Sequence, residues 1–325
     1  MADIANIRGL RELWAAFTHR EAAEPLGEIR SRLLTGLLGL GLEQALRHLG
    51  SEQPDFDAFV EWVRLTAGSP DPLAVARYYA ALDGAHPPPQ VQAALDAVDA
   101  AAPVLGEREL AHWDEHGFVV VPQAITADEA AAAARLVWDA MAADPADPAS
   151  WHGGERQGIM AQQFQHPALE PARRSARAHK AFAQLWGTAD LWPSVDRVSF
   201  NPPERPGQPF PGPHLHFDAS LAQPIPFATQ GILYLTDTAA DQGALQLVPG
   251  FHRRMAEWLG SLEGRNPREV DLSAEAITVP AGTGDLVIWR QDLPHGASPN
   301  RSDRPRLAQY INFYSARQEV RDEWI

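Results

Sequence analysis

Apolar residues recur at three- and four-residue steps through the first hundred positions. Leu10, Leu13, Trp14 and Phe17 form one such series, and Phe56, Phe59, Val60 and Val63 another. That spacing puts them on one face of an α-helix. Glycine and proline break the pattern at Gly50–Pro54 and Gly68–Pro72. The run His86-Pro87-Pro88-Pro89 cannot continue a helix, because proline lacks the amide hydrogen and clashes with the turn before it. The pattern predicts a further alanine-rich helix over Val91–Ala102, ended by Pro103, and no strand before position 118.

The pattern changes at Gly117. Phe118-Val119-Val120-Val121 is a short β-branched run, and Thr126-Ala127-Asp128-Glu129 is a capping box that opens a helix reaching about Ala143. From position 193 the apolar positions fall into short pieces: Val195–Phe200, His214–Ser220, Gly231–Thr236, Ala244–Val248, Ile277–Val279, Asp285–Trp289 and Leu307–Tyr314. Proline and glycine turns between them predict a β-sandwich or small barrel.

With 325 residues, 45% of them hydrophobic and 21% charged, the chain has the size and composition of one large or two modest folded domains. The net charge of −15 and the absence of any basic run argue against nucleic-acid binding, which needs clustered Lys and Arg to neutralise phosphates. Lys180 is the single lysine. The longest apolar stretch, Leu33–Leu42, is far shorter than the roughly 20 residues that span a bilayer. No basic leader with a cleavage site opens the chain, so a cytoplasmic protein with no membrane partner is expected. There is no cysteine, so any metal must sit on His, Asp or Glu.

Pro213-His214-Leu215-His216-Phe217-Asp218 carries the strongest chemical signal. Residues i and i+2 of a strand share a face, so His216 and Asp218 can converge on one ion. His295, in Leu293-Pro294-His295-Gly296, is the best third ligand. Two imidazoles and a carboxylate on one face of an octahedron leave positions open, the arrangement of non-haem Fe(II) oxygen chemistry. His214 shares the face of His216 and is assigned to the pocket lining. His-x-Asp alone arises easily by chance among 12 histidines and 42 acidic residues, so the assignment needs the wider context.

That context is a resemblance. Residues from about 113 to 317 resemble the phytanoyl-CoA dioxygenase (PhyH-like) family of Fe(II)/2-oxoglutarate-dependent oxygenases. It rests on His112–Pro122, interrupted by Trp113, on His216-Phe217-Asp218, on Gly231–Asp237, and on Gly243–His252 with its Val248-Pro249-Gly250-Phe251-His252 turn. Gly284-Asp285-Leu286-Val287-Ile288-Trp289, His295-Gly296, Asn300 and Arg306 complete the order. The resemblance implies an α+β fold with a double-stranded β-helix (jelly roll, cupin-like) core and flanking helices. The expected division is an added helical N-terminal domain over 1–105 and the oxygenase domain over 106–325.

It also implies His216, Asp218 and His295 as the metal-binding catalytic triad, with Fe(II), 2-oxoglutarate and O2 as cofactor and cosubstrates. Arg306 would pair with the distal carboxylate of 2-oxoglutarate through its fork of donors, and Tyr234 would lie beside the cosubstrate. Arg301 and Arg304 are expected to be solvated loop charges. The family often has serine two residues after the distal histidine. Ala297 stands there in this chain, and the role does not pass to Ser298, because a one-residue slip reverses facing.

Asp218 fills a position that is small in related halogenases, so hydroxylation of an unactivated C–H, with release of succinate and CO2, is the expected outcome. The substrate is expected to be a small carboxylate or secondary metabolite rather than an acyl-CoA, since nothing basic and extended marks a coenzyme A site. Candidate substrate residues are Trp151, Arg156, Gln162 and Gln163 in a long connection of the kind that forms lids, with His214, Arg197, Gln230, Arg253 and Asn312. Two other readings compete: a His2Asp zinc hydrolase and a non-catalytic jelly-roll binding protein. Substrate identity, stereochemistry, oligomeric state and the role of the first hundred residues are not encoded in any motif.

Overall fold

The structure is a computed structural model, and it describes residues 3–321 and 323–325. Six helices come first: α1 (Leu10–Thr18), α2 (Glu28–Leu37), α3 (Leu42–Glu52), α4 (Phe56–Ala67), α5 (Pro72–Leu82) and α6 (Pro89–Ala100). Asp55 and Asp71 cap α4 and α5 through their carboxylates, and prolines open α5 and α6, where the missing amide costs nothing. The helical periodicity therefore holds, with α6 starting and stopping two residues earlier than expected. Residues between Ile4 and Tyr78 bury their apolar faces in one cluster, which also takes in Trp192 and Tyr314 from far along the chain.

Helix α7 (Glu107–His116) leads into β1 (Phe118–Val121). Helix α8 (Ala127–Ala140) is capped as expected, Thr126 and Glu129 exchanging side-chain and backbone bonds. It ends three residues short of Ala143. After it come β2 (Arg156–Gln157), β3 (Met160–Ala161), α9 (Glu170–Arg173), α10 (Ala176–Trp186), β4 (Leu191–Pro193), β5 (Val198–Asn201), β6 (Thr229–Tyr234) and β7 (Leu245–Leu247). The last elements are α11 (Met255–Ser261), β8 (Ile277–Val279), β9 (Leu286–Arg290), β10 (His295–Ala297), β11 (Arg306–Tyr310) and β12 (Phe313–Ser315). No described helix is long and apolar enough to cross a membrane.

The strands form an antiparallel seven-stranded sheet, in the order β1-β9-β6-β11-β5-β3-β2, and a smaller sheet, β10-β7-β8. Period-two alternation assigns each side chain to a layer. On β9, Leu286 and Ile288 face a core shared with α8 and α10, while Val287 and Trp289 face Leu245, Leu247 and Val279 of the smaller sheet. Helices thus cover one face of the large sheet and the small sheet covers the other. This is the α+β jelly-roll arrangement with flanking helices that was expected.

Three strand predictions are corrected. His214–Ser220 is not a strand; only His216 pairs, in an isolated bridge to His295. Pro213 has no amide to donate, and the Arg268 guanidinium takes the carbonyls of Phe217 and Ala219, each at 2.8 Å, which a sheet neighbour would otherwise accept. Val195–Phe200 begins to pair only at Val198, because Ser194 is tied to Asn312 and Asp196 folds back on its neighbour's amide. Leu307–Tyr314 splits in two, β11 pairing with β5 and β6 and β12 pairing with β4.

Candidate metal centre

His295 opens β10, and its backbone exchanges both bonds with His216, at 2.9 and 3.0 Å. This pairing brings the two imidazoles together with centroids 4.8 Å apart and planes tilted by 47°. Each ring is oriented through Nδ1 against a backbone carbonyl, His216 on His214 at 2.7 Å and His295 on Leu293 at 3.0 Å. With Nδ1 as donor, both Nε2 lone pairs point away from the backbone, the tautomer that a metal requires. Asp218 closes the group, with Oδ1 3.2 Å from His216 Nε2 and Oδ2 3.3 Å from His295 Nε2. The three residues offer ligand atoms all within 4.8 Å of one another. Convergence is achieved across the bridge rather than along one strand.

Burial opposes the Asp218 charge, but hydrogen bonds and charge from His216 and His295 outweigh it and hold the carboxyl well below the usual carboxylate range. Burial likewise opposes an imidazolium at His216, yet Asp218 raises its pKa above the ordinary value. Without a metal, the group therefore favours a proton on His216 more than an isolated histidine would.

The triad opens on a cavity of about 500 Å³. Arg306 borders the same cavity and is fully buried. Its Nε donates to Gly243 O at 3.1 Å and its Nη1 to Ser199 Oγ at 2.7 Å, while Nη2 has no partner. A buried guanidinium with an unused donor and no ion pair among the described residues suits an anionic ligand.

Other expected residues fall differently. Gln230 borders the cavity but serves the metal group, its Nε2 donating to Asp218 Oδ2 at 2.6 Å while Oε1 accepts from Trp289 Nε1 at 2.9 Å. Asn312 borders the cavity and accepts from Thr229 Oγ1. Tyr234 does not border it: its buried hydroxyl donates to Val279 O and accepts from Leu245 N, tying the two sheets together. The His214 ring packs edge-on against Phe210 and only its carbonyl serves the site. Trp151 is buried with its indole on Asp144 O, Arg156 donates to the carbonyls of Trp151 and Gly153, Gln162 is exposed and Gln163 bonds Gln165 O. None of these four lines the cavity; Met160 and Phe164 from the same connection do. Arg253 also lies elsewhere, and Ser298 turns to Ala244 O. Arg301 and Arg304 are 77% and 80% exposed, as expected for solvated charges.

Sequence reasoning missed three contributors. Ser199 positions Arg306, Arg268 shapes the His216–Asp218 turn, and Gly296 lets the two histidine segments meet. It also missed a wall of the cavity supplied by α2 and α3, through Glu28, Arg32, Gly36 and Glu43. Glycine beside the distal histidine was the only available signal for any of these.

The family model described as phytanoyl-CoA dioxygenase (PhyH) matches residues 113–308. The chain belongs to this family. A putative phytanoyl-CoA dioxygenase of Dictyostelium discoideum is 30% identical over 92 residues, covering 26% of this chain and 26% of the relative, so the chain spans about a quarter of that relative's length. Among solved structures, the non-heme alpha ketoglutarate dependent carbocyclase SnoK from nogalamycin biosynthesis is 20% identical, with a TM-score of 0.48, over 68% of this chain and 90% of that one. EvdO2 from Micromonospora carbonacea var. aurantiaca, complexed with 2-oxoglutarate, is 19% identical, with a TM-score of 0.47, over 69% of this chain and 96% of that one. In this phytanoyl-CoA dioxygenase family member the matched segment contains the whole triad and Arg306, while α1 to α6 lie outside it.

Proposed function

We propose that the protein is an Fe(II)/2-oxoglutarate-dependent oxygenase that hydroxylates an unactivated C–H bond of a small molecule. One observation carries the reading: two histidines, a carboxylate and a buried, incompletely bonded arginine border a single cavity. His216, Asp218 and His295 would hold the iron through two Nε2 atoms and a carboxylate oxygen. Arg306 would take the distal carboxylate of 2-oxoglutarate, completing its own hydrogen bonding. When bound, the iron with 2-oxoglutarate and oxygen supplies an oxidant for the C–H bond, leaving succinate and CO2.

The chain's own part is to bind, orient and exclude water. Gln230 fixes the Asp218 carboxylate, and the backbone carbonyls of His214 and Leu293 fix the two rings. Ile232, Leu245 and Trp289 give the space apolar walls, and its volume suits a small molecule. Tyr234 supports the site by joining the sheets rather than by touching cosubstrate.

The test is anaerobic reconstitution with Fe(II) and 2-oxoglutarate, followed by oxygen. Oxygen-dependent succinate release that is lost in His216→Ala and His295→Ala is the expected result. Tight zinc binding with no succinate release overturns the reading in favour of a hydrolase.

A further inference from the structure

The charged part of the cavity is internally matched. Arg197, a candidate for holding an acidic substrate, pairs with Glu43, and Arg32 pairs with Glu28 at 2.7 Å. Another stretch of the rim carries an unmatched group of a different kind. After β12 the chain returns to the metal group, and Val320, Arg321 and Trp324 border the same cavity as His216, Asp218 and His295. Of the ten tryptophans, only Trp324 is exposed, at 62%. A side chain of that size is ordinarily largely buried.

The exposed ring is nonetheless held in place. Arg321 donates to Pro224 O from Nε at 3.0 Å and from Nη2 at 2.7 Å. Ser220 Oγ donates to Glu323 O at 2.6 Å. Arg268 donates to Ile325 O from Nε at 3.1 Å and from Nη2 at 2.7 Å. Its guanidinium carbon also lies 4.6 Å from the centre of the Trp324 ring. The residues on both sides of Trp324 are thus bonded, and Arg268 covers part of the indole. No other ring or guanidinium stacks on it among the described residues.

The same guanidinium ties the indole to the metal group. Arg268 donates to Phe217 O and Ala219 O, the carbonyls on either side of Asp218, each at 2.8 Å. One side chain therefore stands between the Trp324 ring and the backbone that carries a metal ligand. Both residues border one cavity of about 500 Å³, so a small molecule lying on the indole has the metal group within its reach.

We propose that the open face of Trp324 is a stacking site for a flat, unsaturated ring of the primary substrate, and that this ring is neutral or anionic. The word substrate rests on the oxygenase reading; the stacking site does not. An indole already fixed by its neighbours offers a wide flat area and loses little further freedom when a ligand lies on it. Val320, 40% exposed on the same rim, adds apolar surface. A cation is the other partner an indole face attracts. Here Arg268 already takes that role and Arg321 stands on the same rim, so a second positive charge is disfavoured. A planar ring meets the indole over its whole face, whereas a saturated ring of equal size touches it only through the hydrogens on one side. Flatness is therefore what the site selects.

Calorimetric titration of the protein loaded anaerobically with Fe(II) and 2-oxoglutarate tests this with two matched probes, 2-naphthol and its fully saturated counterpart, decahydro-2-naphthol. The flat probe is expected to bind at least about fivefold more tightly than the saturated one. Trp324→Ala should remove about tenfold of the flat probe's affinity, and Trp324→Phe should stay within about threefold of the original. Because the side chain is largely in water, Trp324→Ala should melt with the unaltered protein, which separates lost binding from lost fold. Equal binding of both probes, no binding of either, or full affinity in Trp324→Ala overturns the proposal. So does Trp324-dependent dimerisation without probe binding, since a second copy would then cover the rim. Succinate release from the same preparation, on exposure to oxygen, is read separately. Trp324-dependent binding of the flat probe without it keeps the site and removes the oxygenase reading, and succinate release without such binding does the reverse.

Discussion

The side-chain amide of Gln230 joins Asp218 to Trp289, donating to the carboxylate at 2.6 Å and accepting the indole N–H at 2.9 Å. A residue of the large sheet thereby sets the angle of a ligand that lies on an irregular turn. Such outer partners of metal ligands are worth about 10–100-fold in affinity. Gln230→Leu should therefore weaken metal binding by about tenfold, read by competition with a chromogenic chelator. An affinity unchanged by Gln230→Leu would show that the turn alone orients Asp218.

The site also predicts a pH dependence with a definite sign. His216 has its pKa raised, so its partnership with Asp218 stabilises the metal-free protein fully below about 6.5 and is lost as pH rises through the folded value. Asp218 is held low, so its contribution is present above about 3.8 and is lost only in acid. Metal needs neutral His216, so metal affinity runs the other way and falls as pH drops, starting at a higher pH than for an ordinary histidine. Melting curves with and without metal between pH 5 and about 8 should therefore converge at the acidic end and separate at the basic end. Parallel curves would count against His216 as a ligand.

Gly296 stands where the two ligand segments cross. A Cβ there would lie 2.3 Å from His214 O, the same carbonyl that orients the His216 ring. Because the obstacle is backbone, Gly296→Ala must push the His214–His216 segment away from β10. We expect a loss of about 1–3 kcal/mol in stability and a drop in metal affinity of tenfold or more by the same titration, about what loss of a ligand's orientation costs. A Gly296→Ala protein that binds metal normally would mean that the bridge between His216 and His295 is not what assembles the site.

Arg306 is fully buried, with two of its nitrogens bonded to neutral oxygens and the third, Nη2, unbonded. An uncompensated buried charge is a liability that a dianion relieves, so 2-oxoglutarate should raise the melting temperature of the metal-loaded protein. Arg306→Lys keeps the charge and loses the fork, and should weaken 2-oxoglutarate by about 10–100-fold. Calorimetry checks this, with metal affinity measured alongside and expected to stay within about twofold. Equal loss of metal and 2-oxoglutarate binding would indicate a general collapse instead.

The helical periodicity of the first hundred residues, the β-branched run at Phe118 and the capping box at Thr126 were legible because each depends on neighbours in the chain. So was the meeting of His216, Asp218 and His295, though by a route the sequence did not suggest. Alternation along His214–Ser220 looks like a strand, but the carbonyls there are claimed by Arg268, about fifty positions away. The same limit explains the lid candidates. Trp151 and Arg156 have suitable chemistry, yet the Trp151 indole N–H is spent on Asp144 O, and Arg156 Nη1 turns to the carbonyls of Trp151 and Gly153 within its own loop. Which polar atoms are left over is settled only by tertiary packing.

The N-terminal helices are joined to the barrel by apolar burial as well as by charge. Trp192 of β4 and Tyr314 of β12 are 7% and 3% exposed within the helical cluster, and Arg77 stacks 4.0 Å over the Trp192 ring while donating to Asp190 and Leu191. Gln44 and Gln165 exchange bonds across the same junction, and Gln165 also donates to Gly39 O. Removing residues before position 85 would strip these partners at once and leave two large aromatic side chains facing water. Each buried aromatic contributes roughly 1.5–3 kcal/mol, so the remaining domain should lose much of a typical 5–15 kcal/mol stability. A chain beginning at residue 85 is therefore expected to aggregate, or to melt at least about 10 °C lower than the intact protein. Trp192→Ser in that shortened chain should recover solubility without recovering the melting temperature. A soluble shortened chain that melts with the intact protein would show that the helices are tethered to the barrel rather than part of its core.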